Sequence, residues 1–539
     1  MSEASVVAPD AGIALDARQA KRLGLPGRLA ARLATAWLAL PAVLAVGALL
    51  RFWELNRFGL NSDEAVYAGQ AASIAGQPEL SEFFPTFRAH PLLFQSILSV
   101  GFHLGGYDLF GRMISAGIGL ATVVLAYKLG ALLYGRRAGL FAAAFLALMP
   151  YHVLVTRQVL LDGPMVFFAT LALYLLARYA VTTHPAWLYA AGGAMGLTFL
   201  SKETGILLIG SIYAFFALSP EIRIRIRHVA VSLFVMAVVM APFPLTMMIA
   251  GKSETGGEYL VWQLFRRPNH SLTFYPSVVP EAIGLLVVAA AVAGLWLLRR
   301  EGSWRERLLL AWVAVPAIFF ELWPVKGFQY LLPAAPAVAV LAARTFVRWP
   351  AEGSLGPPLL RLRRAWLAPA AAGLVFLSLF LSSWQRIRPS PDGTLLAGSG
   401  GMPAGREVGR WIDAYLPEGA RFMTIGPSMT NIVRYYGHRQ AFGLSVSPNP
   451  LSRNPAYDPI QNPDLEIRTN ELQYLVWDSF SAARSPFFSA KLLRYADRYN
   501  GRVVHTESIT VRTAKGEKAE KPLIVVYQVR PLIAAPPLG

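Results

Sequence analysis

The chain has 539 residues, 55% of them hydrophobic and only 15% charged, with 50 Lys and Arg against 32 Asp and Glu for a net charge of +18. Soluble proteins are roughly a quarter charged, and a mean hydropathy of +0.43 demands long uncharged runs, so an ordinary soluble protein is excluded in favour of a multi-pass membrane protein. The basic residues sit in short groups between apolar segments, as in cytoplasmic loops, which excludes a nucleic-acid surface; with no cysteine, disulfides, thiolate catalysis and cysteine-held metals are excluded too.

Residues 1–33 read as a polar cytoplasmic tail containing Arg18, Lys21, Arg22, Arg28 and Arg32. No small-residue cleavage site follows the first apolar run, which is therefore expected to be a retained anchor. A spanning helix needs about 20 mostly apolar residues, and roughly eleven segments are candidates. They lie at 34–52, 112–134, 138–155, 160–180, 186–200, 204–220, 229–249, 280–298, 308–323, 329–347 and 366–384. The loop 53–111 contains an apolar piece, 91–105, too short to span. With the N-terminus inside, Arg136 and Arg137, Arg178, Arg223, Arg225, Arg227, the 299–307 cluster and the basic residues of 344–364 all fall on the cytoplasmic side. An odd number of spans puts the C-terminus outside.

Residues 385–405 read as a linker. Over 406–539, helical patterns (GREVGRWIDAYL, AKLLRYADRYN) alternate with strand-like runs (RFMTI, QYLVW, RVVHT, LIVVYQV), predicting a small α/β domain. The expected fold is mainly α: a polytopic helical bundle over 34–384 in the plasma or inner membrane, with an external, periplasmic-side α/β domain.

The external loop carries NSDEAVYAG, in which Asn61 and Ser62 offer a helix start before Asp63 and Glu64. A carboxylate here could take a proton from an acceptor hydroxyl as that oxygen attacks a sugar carbon; equally, acidic residues in a first helical turn complement the helix dipole. The company they keep favours chemistry. His90, Arg112, Arg157, Asp162, Lys202 with Glu203, and Lys326 with Tyr330 all fall at external helix ends, and ionisable groups near hydrocarbon are costly and are paired or functional. Cations there suit a lipid phosphate, stabilising the charge of a departing group. The bland alternatives are turn-closing pairs, Arg157 with Asp162 and Lys202 with Glu203, an ordinary loop role for His90, and interfacial anchoring by Lys326 and Tyr330. The stretch 250–280 mixes Arg266, Arg267 and His270 with Trp262, Phe265, Phe274 and Tyr275, fitting either a sugar-stacking wall or an amphipathic helix on the membrane.

NSDEAVYAGQA after a first span, followed by RAHPLLF, TRQVLLDGPMVFF, FLSKETG and KGFQYLLPAAPAVAVLA, resembles the type C membrane glycosyltransferases (the GT-C fold). Among them it is closest to glycosyltransferase family 39, which includes protein O-mannosyltransferases and the lipid A aminoarabinose transferase. The likeness covers roughly the first 350 residues. It implies sugar transfer from a polyprenyl phosphate at the outer membrane face, without a nucleotide sugar. Asp63 matches the catalytic acidic residue, Glu64 its partner, Asp162 the aspartate after the third span and Lys202 a basic residue of the next external turn. Lys326 and Tyr330 match positions near the lipid phosphate. His90 stands where the aminoarabinose transferase has a lysine, and the 326–330 segment lacks that enzyme's second lysine, so Arg88, Arg112 or Arg266 would supply phosphate contacts.

The expected reaction is a single inverting displacement, with Glu64 orienting Asp63 or binding the acceptor. No cofactor is required by this scheme, since cationic side chains can neutralise the phosphate; a divalent metal could bind through Asp63 and Glu64. The expected partners are a polyprenyl-phosphate-linked sugar, a protein, lipid or polysaccharide acceptor, and membrane lipids, but not nucleic acid. The competing readings are a transporter or flippase of glycolipids, which would show paired halves and charges at the bilayer midplane, and a non-catalytic scaffold.

Overall fold

The computed structural model describes residues 27–86, 90–105, 108–266, 268–348, 358–388, 403–512 and 517–531. Most of the N-terminal tail, most of the predicted linker, Arg88 and Arg267 lie outside them. Every apolar segment singled out above is helical over most of its length. Among the described residues, five helical stretches are long and apolar enough to cross a membrane: Asp108–Tyr134, Asp162–Thr182, Ile226–Ile249, Phe328–Arg348 and Ala370–Ile387. Two bent pairs raise that to seven, short of the eleven expected. Others fall short in length: Pro185–Ser201 has 17 residues, and the 204–220 segment opens as a 3-10 turn, Glu203–Leu207, before the 11-residue helix Leu208–Leu218.

The bends have local causes. Pro150 has no amide hydrogen with which to continue the Arg136–Leu148 helix, and the chain turns by 59° into Pro150–Thr156. Phe274–Ile283 and Leu285–Leu297 meet at 97° through Gly284, whose φ of +102° is left-handed and where a Cβ would stand 2.4 Å from Leu379 Cδ2. Both the backbone and the close approach call for glycine. Phe145, Tyr151, Leu173, Trp312 and Leu341 belong to one buried cluster running through the helices, where close packing rather than water exclusion does most to hold helices together in lipid.

The C-terminal α/β region is built on a five-stranded sheet in the order β2-β1-β3-β5-β4. Its strands are β1 (Arg421–Thr424), β2 (Gln440–Gly443), β3 (Tyr474–Asp478), β4 (Arg502–Arg512) and β5 (Lys518–Gln528). β1 lies parallel to β2 and β3, while β5 runs antiparallel to β3 and β4. The helix Pro427–Gly437 makes the crossover from β1 to β2. Helix and strand patterns in the sequence match Gly405–Tyr415, Pro486–Arg498, β1, β3, β4 and β5; the crossover helix and β2 lie outside those patterns.

This region shares its core with the loop that follows the first helix. Leu60, Ala65, Ala68, Phe84 and Phe94 pack in one cluster with Val408, Ile412, Ile432, Val433 and Tyr436. Polar bonds run alongside. Tyr436 Oη accepts from Leu60 N at 2.8 Å and donates to Asp108, which also receives Tyr435 Oη at 3.2 Å. Asn431 Nδ2 donates to Ser62 Oγ at 2.9 Å, and Arg406 donates to the Asn56 side chain and carbonyl.

At the end of β3, Asp478 is fully buried and caps the short helix Ser479–Arg484, its Oδ1 accepting from Ser481 N at 2.6 Å. Burial pushes its carboxyl up to about 6, against the pull of the Ser481 amide, from an ordinary value of about 3.9. The folded chain therefore holds this proton more tightly than the unfolded one, and stability falls as pH rises from about 4 to 6 and stays lower above that. Asp478→Asn keeps the capping acceptor and removes the charge. Thermal unfolding in detergent should show the variant more stable than wild type at about pH 8, by on the order of 2–3 kcal/mol, with the gap closing below about pH 4.

Candidate active site

The loop that follows the first helix is held in place by Glu64. Asn61 caps the Ser62–Ile74 helix: its Oδ1 accepts from Glu64 N at 3.0 Å and its own amide donates to Glu64 Oε2 at 2.9 Å, a capping box. Arg112 grips the same carboxylate with two parallel bonds, Nε to Oε1 at 2.8 Å and Nη2 to Oε2 at 2.7 Å. Val159 N adds a further bond to Oε1 at 2.9 Å. The remaining guanidinium hydrogens go to the carbonyls of Leu55, Phe58 and Gly59 at 2.7–3.0 Å, so all five Arg112 donors are used. Asn61 Nδ2 also donates to Gln158 Oε1 at 2.8 Å. Glu64 is fully buried and Arg112 nearly so.

With its neighbour spent inward, Asp63 lines a cavity of about 650 Å³. Tyr67 and Gln70, one and two turns further along the same helix face, line it too. Burial, and then the charge of Asp63, push the Tyr67 phenol well above its ordinary value, so Tyr67 stays a neutral hydrogen-bonding group. His90 Nδ1 meets Glu203 Oε2 at 2.8 Å, and its ring stands edge-on to Tyr67 and Tyr259.

The cations come from the other helix ends. Lys202 Nζ donates to both oxygens of Asp162, at 2.8 and 2.9 Å, and sits 4.9 Å from the Tyr330 ring centre. Lys326 Nζ donates to the Phe320 and Glu321 carbonyls. Its backbone is fixed by Asn269, which accepts from Lys326 N at 2.8 Å and donates to Lys326 O at 2.9 Å. Arg266 lies over Trp262 at 4.4 Å. Tyr259, buried beside Trp262, is pushed well above the ordinary phenol value by burial and by Glu203.

Of the residues singled out in the sequence, Asp63, His90, Lys202, Arg266, Lys326 and Tyr330 line this one cavity. Asp162 reaches it through Lys202. Glu64 and Arg112 instead brace the loop behind Asp63, and Arg157 caps the first helix, donating to the carbonyls of Leu50 (2.6 Å), Arg51 (3.0 Å) and Trp53 (2.7 Å). The pairs suggested by adjacency, Arg157 with Asp162 and Lys202 with Glu203, give way to Lys202 with Asp162 and His90 with Glu203. The 253–265 stretch is a helix whose Tyr259, Trp262, Gln263 and Arg266 join the wall. A metal between Asp63 and Glu64 would have to displace Arg112 from Glu64, and among the described residues no three His, Asp or Glu side chains are grouped to hold an ion. Tyr67 was signalled by its place one turn after Asp63; Asn454, Tyr457 and Arg484, which also line the cavity, had no local signal.

The two adjacent carboxylates should respond unequally to substitution. Arg112→Ala or Glu64→Ala leaves a buried charge unpaired and should cost about 3–5 kcal/mol, read as a large drop in unfolding temperature in detergent. Asp63→Asn, which keeps the size and polarity of a half-buried side chain, should lower that temperature by much less than either of those substitutions.

Residues 89–247 match the family model described as dolichyl-phosphate-mannose-protein mannosyltransferase. An undecaprenyl phosphate-alpha-4-amino-4-deoxy-L-arabinose arabinosyl transferase of Serratia proteamaculans is 28% identical over 258 residues, 43% of this chain and 44% of that protein. The chain thus spans about half or less of the curated relatives it matches. Among solved structures, ArnT from Cupriavidus metallidurans superposes with a TM-score of 0.66 at 15% identity, over 93% of this chain and 99% of that one. The Archaeoglobus fulgidus oligosaccharyltransferase gives a TM-score of 0.57 at 14% identity, over 89% and 72%. At such identity these structures speak for the fold alone: the chain is a multi-pass membrane protein that shares the fold of ArnT, and over residues 89–247, within its membrane helices, it is similar to the mannosyltransferase family.

Proposed function

We propose that the chain transfers a sugar from a polyprenyl-phosphate donor to an acceptor hydroxyl at the outer membrane face, with inversion. One observation carries this reading: Asp63 opens onto the same cavity as Lys202, Arg266, Lys326 and Tyr330, while Glu64 beside it is consumed in bracing the loop. Asp63 facing several cations, with Glu203 of the same wall bonded to His90, is what a one-step displacement from a phosphate needs. The neighbouring ArnT structure that holds undecaprenyl phosphate supports a lipid-linked donor.

Asp63 takes the hydroxyl proton as the acceptor oxygen bonds to the anomeric carbon. The bond from that carbon to the phosphate oxygen breaks, and the electron pair leaves with the polyprenyl phosphate. Arg266, Lys326 and Lys202 stabilise the charge developing on that oxygen, with Asp162 holding Lys202 in place and the Tyr330 hydroxyl within the same wall. His90 and Glu203, bonded to each other, and the Tyr259–Trp262 surface frame the sugar. Basic groups such as Arg136 and Arg137, at the far end of the Asp108–Tyr134 helix from this loop, support an outward-facing cavity under the positive-inside rule, with the C-terminal region, which lines the cavity, on the same side. A site walled partly by that region lies at the end of the bundle, which favours chemistry there over passage through it.

Purified protein incubated with a panel of polyprenyl-phosphate sugars and mixed envelope acceptors should consume one donor, detected by mass spectrometry of the lipid. Asp63→Asn should lower that rate by roughly 10²–10⁴-fold, the range for a general base, in a chain that remains folded. Wild-type turnover in Asp63→Asn would sink the assignment.

A further inference from the structure

Among the described residues, five amide side chains line the cavity: Gln70, Gln263, Asn269, Gln329 and Asn454. Four of them have their carbonyl oxygen engaged by the protein. Gln70 Oε1 accepts from Gln95 Nε2 at 3.1 Å, and Gln263 Oε1 from Arg266 Nη1 at 3.4 Å. Asn269 Oδ1 accepts from Lys326 N at 2.8 Å, and Asn454 Oδ1 from Ala456 N at 2.9 Å. Gln329 differs: its Oε1 is buried and meets no partner among the described residues. A buried acceptor left without a hydrogen is costly in a folded chain, and it calls for an explanation.

The backbone on either side of Gln329 is pinned. Tyr275 Oη accepts from Gly327 N at 3.1 Å and donates to Gly327 O at 3.2 Å. Tyr151 Oη donates to the Phe328 carbonyl, and Tyr330 N donates to Gly327 O at 3.1 Å. The torsion at the end of a glutamine is broad, so a turn of the amide brings its oxygen to the cavity without breaking any bond that the oxygen makes. In the chain Gln329 stands between Lys326 and Tyr330, whose ring meets Lys202, so it shares its stretch of wall with two cations. Those ammonium groups are turned to Asp162 and to the Phe320 and Glu321 carbonyls. What the oxygen lacks is a hydrogen. An ionised phosphate diester has none to give, whereas a hydroxyl both donates and accepts, as an amide does.

We propose that Gln329 binds a ring hydroxyl of the donor sugar and thereby selects which sugar the site accepts. The cations of the wall hold the phosphate, which every such donor shares, and the amide reads a group that differs between sugars. A sugar that points this hydroxyl elsewhere leaves the acceptor unpaired, a penalty that discriminates more sharply than apolar packing does. This contact rests on the polyprenyl-phosphate reading above.

The test uses the full-length protein in nanodiscs, with native mass spectrometry reading occupancy. The probes are undecaprenol, undecaprenyl phosphate, and undecaprenyl phosphate bearing mannose, glucose, galactose or arabinose. Wild type should prefer one of the sugar-bearing lipids. Gln329→Met, which keeps the length and loses the amide, should weaken binding of that lipid roughly five- to a hundredfold and bring it level with the other sugars. Binding of bare undecaprenyl phosphate should not change. Gln329→Glu keeps an acceptor oxygen and should keep the wild-type ranking; if Gln329→Met misfolds, Gln329→Leu takes its place beside Gln329→Glu. An unchanged ranking without the amide, or a wild type that binds all the sugars alike, would overturn the contact and leave the donor reading standing. An equal loss for bare undecaprenyl phosphate would put the amide on the phosphate and overturn the hydroxyl assignment. A wild type that does not distinguish undecaprenyl phosphate from undecaprenol would overturn the donor reading, and the contact with it.

Discussion

A carboxylate and a guanidinium withdrawn from water each forfeit several kcal/mol of hydration, and their attraction recovers it only when the leftover lone pairs and hydrogens also find partners. Glu64 and Arg112 meet that condition in full: two mutual bonds, two backbone amides on the acid, three loop carbonyls on the base. The carbonyls belong to Leu55, Phe58 and Gly59, irregular backbone that has no ladder of its own to satisfy it. One ion pair thus fixes the loop's course and the start of the Ser62–Ile74 helix. Asp63 owes its position to that helix start, since it stands with Ser62 between the Asn61 cap and the braced glutamate.

The same loop is held from above. Tyr436 takes the Leu60 amide, Asp108 takes two phenol hydroxyls, and Asn431 reaches Ser62, all within a cluster whose apolar members come from both sides. At Gly59 a Cβ would stand 2.6 Å from Arg406 Cβ, so the chains approach to a separation that only glycine permits. The C-terminal region is therefore part of what gives this loop a single conformation. A version of the chain without it would expose Leu60 and Phe84 and strand the Asp108 carboxylate, so truncation would disturb the loop as well as remove the region.

What could be read in the sequence was whatever depends on local pattern. The apolar runs, the Asn61–Ser62 helix start, the acidic pair and most of the C-terminal strands are visible as period, composition or cap. Pairing across the fold was not visible. Asp162 could have met Arg157 five residues earlier, and Lys202 could have met Glu203 beside it, but helices bring Asp162 to Lys202 across 40 positions and His90 to Glu203 across 113. Arg157 looked like a phosphate ligand because a cation at a helix end has two good uses, and here it serves the carbonyls at the end of the first helix. The shortfall in clear spans has the same origin: breaks at Pro150 and Gly284 and the 3-10 turn after Lys202 interrupt runs whose composition is uniformly apolar.

The breaks are also what make the site. An unbroken helix uses its own carbonyls and presents side chains only along its flank, whereas a helix that stops at Lys202 or enters through Phe328–Ala334 leaves its last side chains and backbone turned into one space. Lys202, Lys326 and Tyr330 all sit at such interruptions, and Asp63 sits at a helix start facing them. Lipid tolerates irregular backbone only where protein covers it or it lines a cavity; here it lines a cavity shared with the 253–265 helix and the C-terminal region. The irregularity that lowers the count of clean spans is thus the same feature that gathers Asp63, Glu203 and several cations around one cavity.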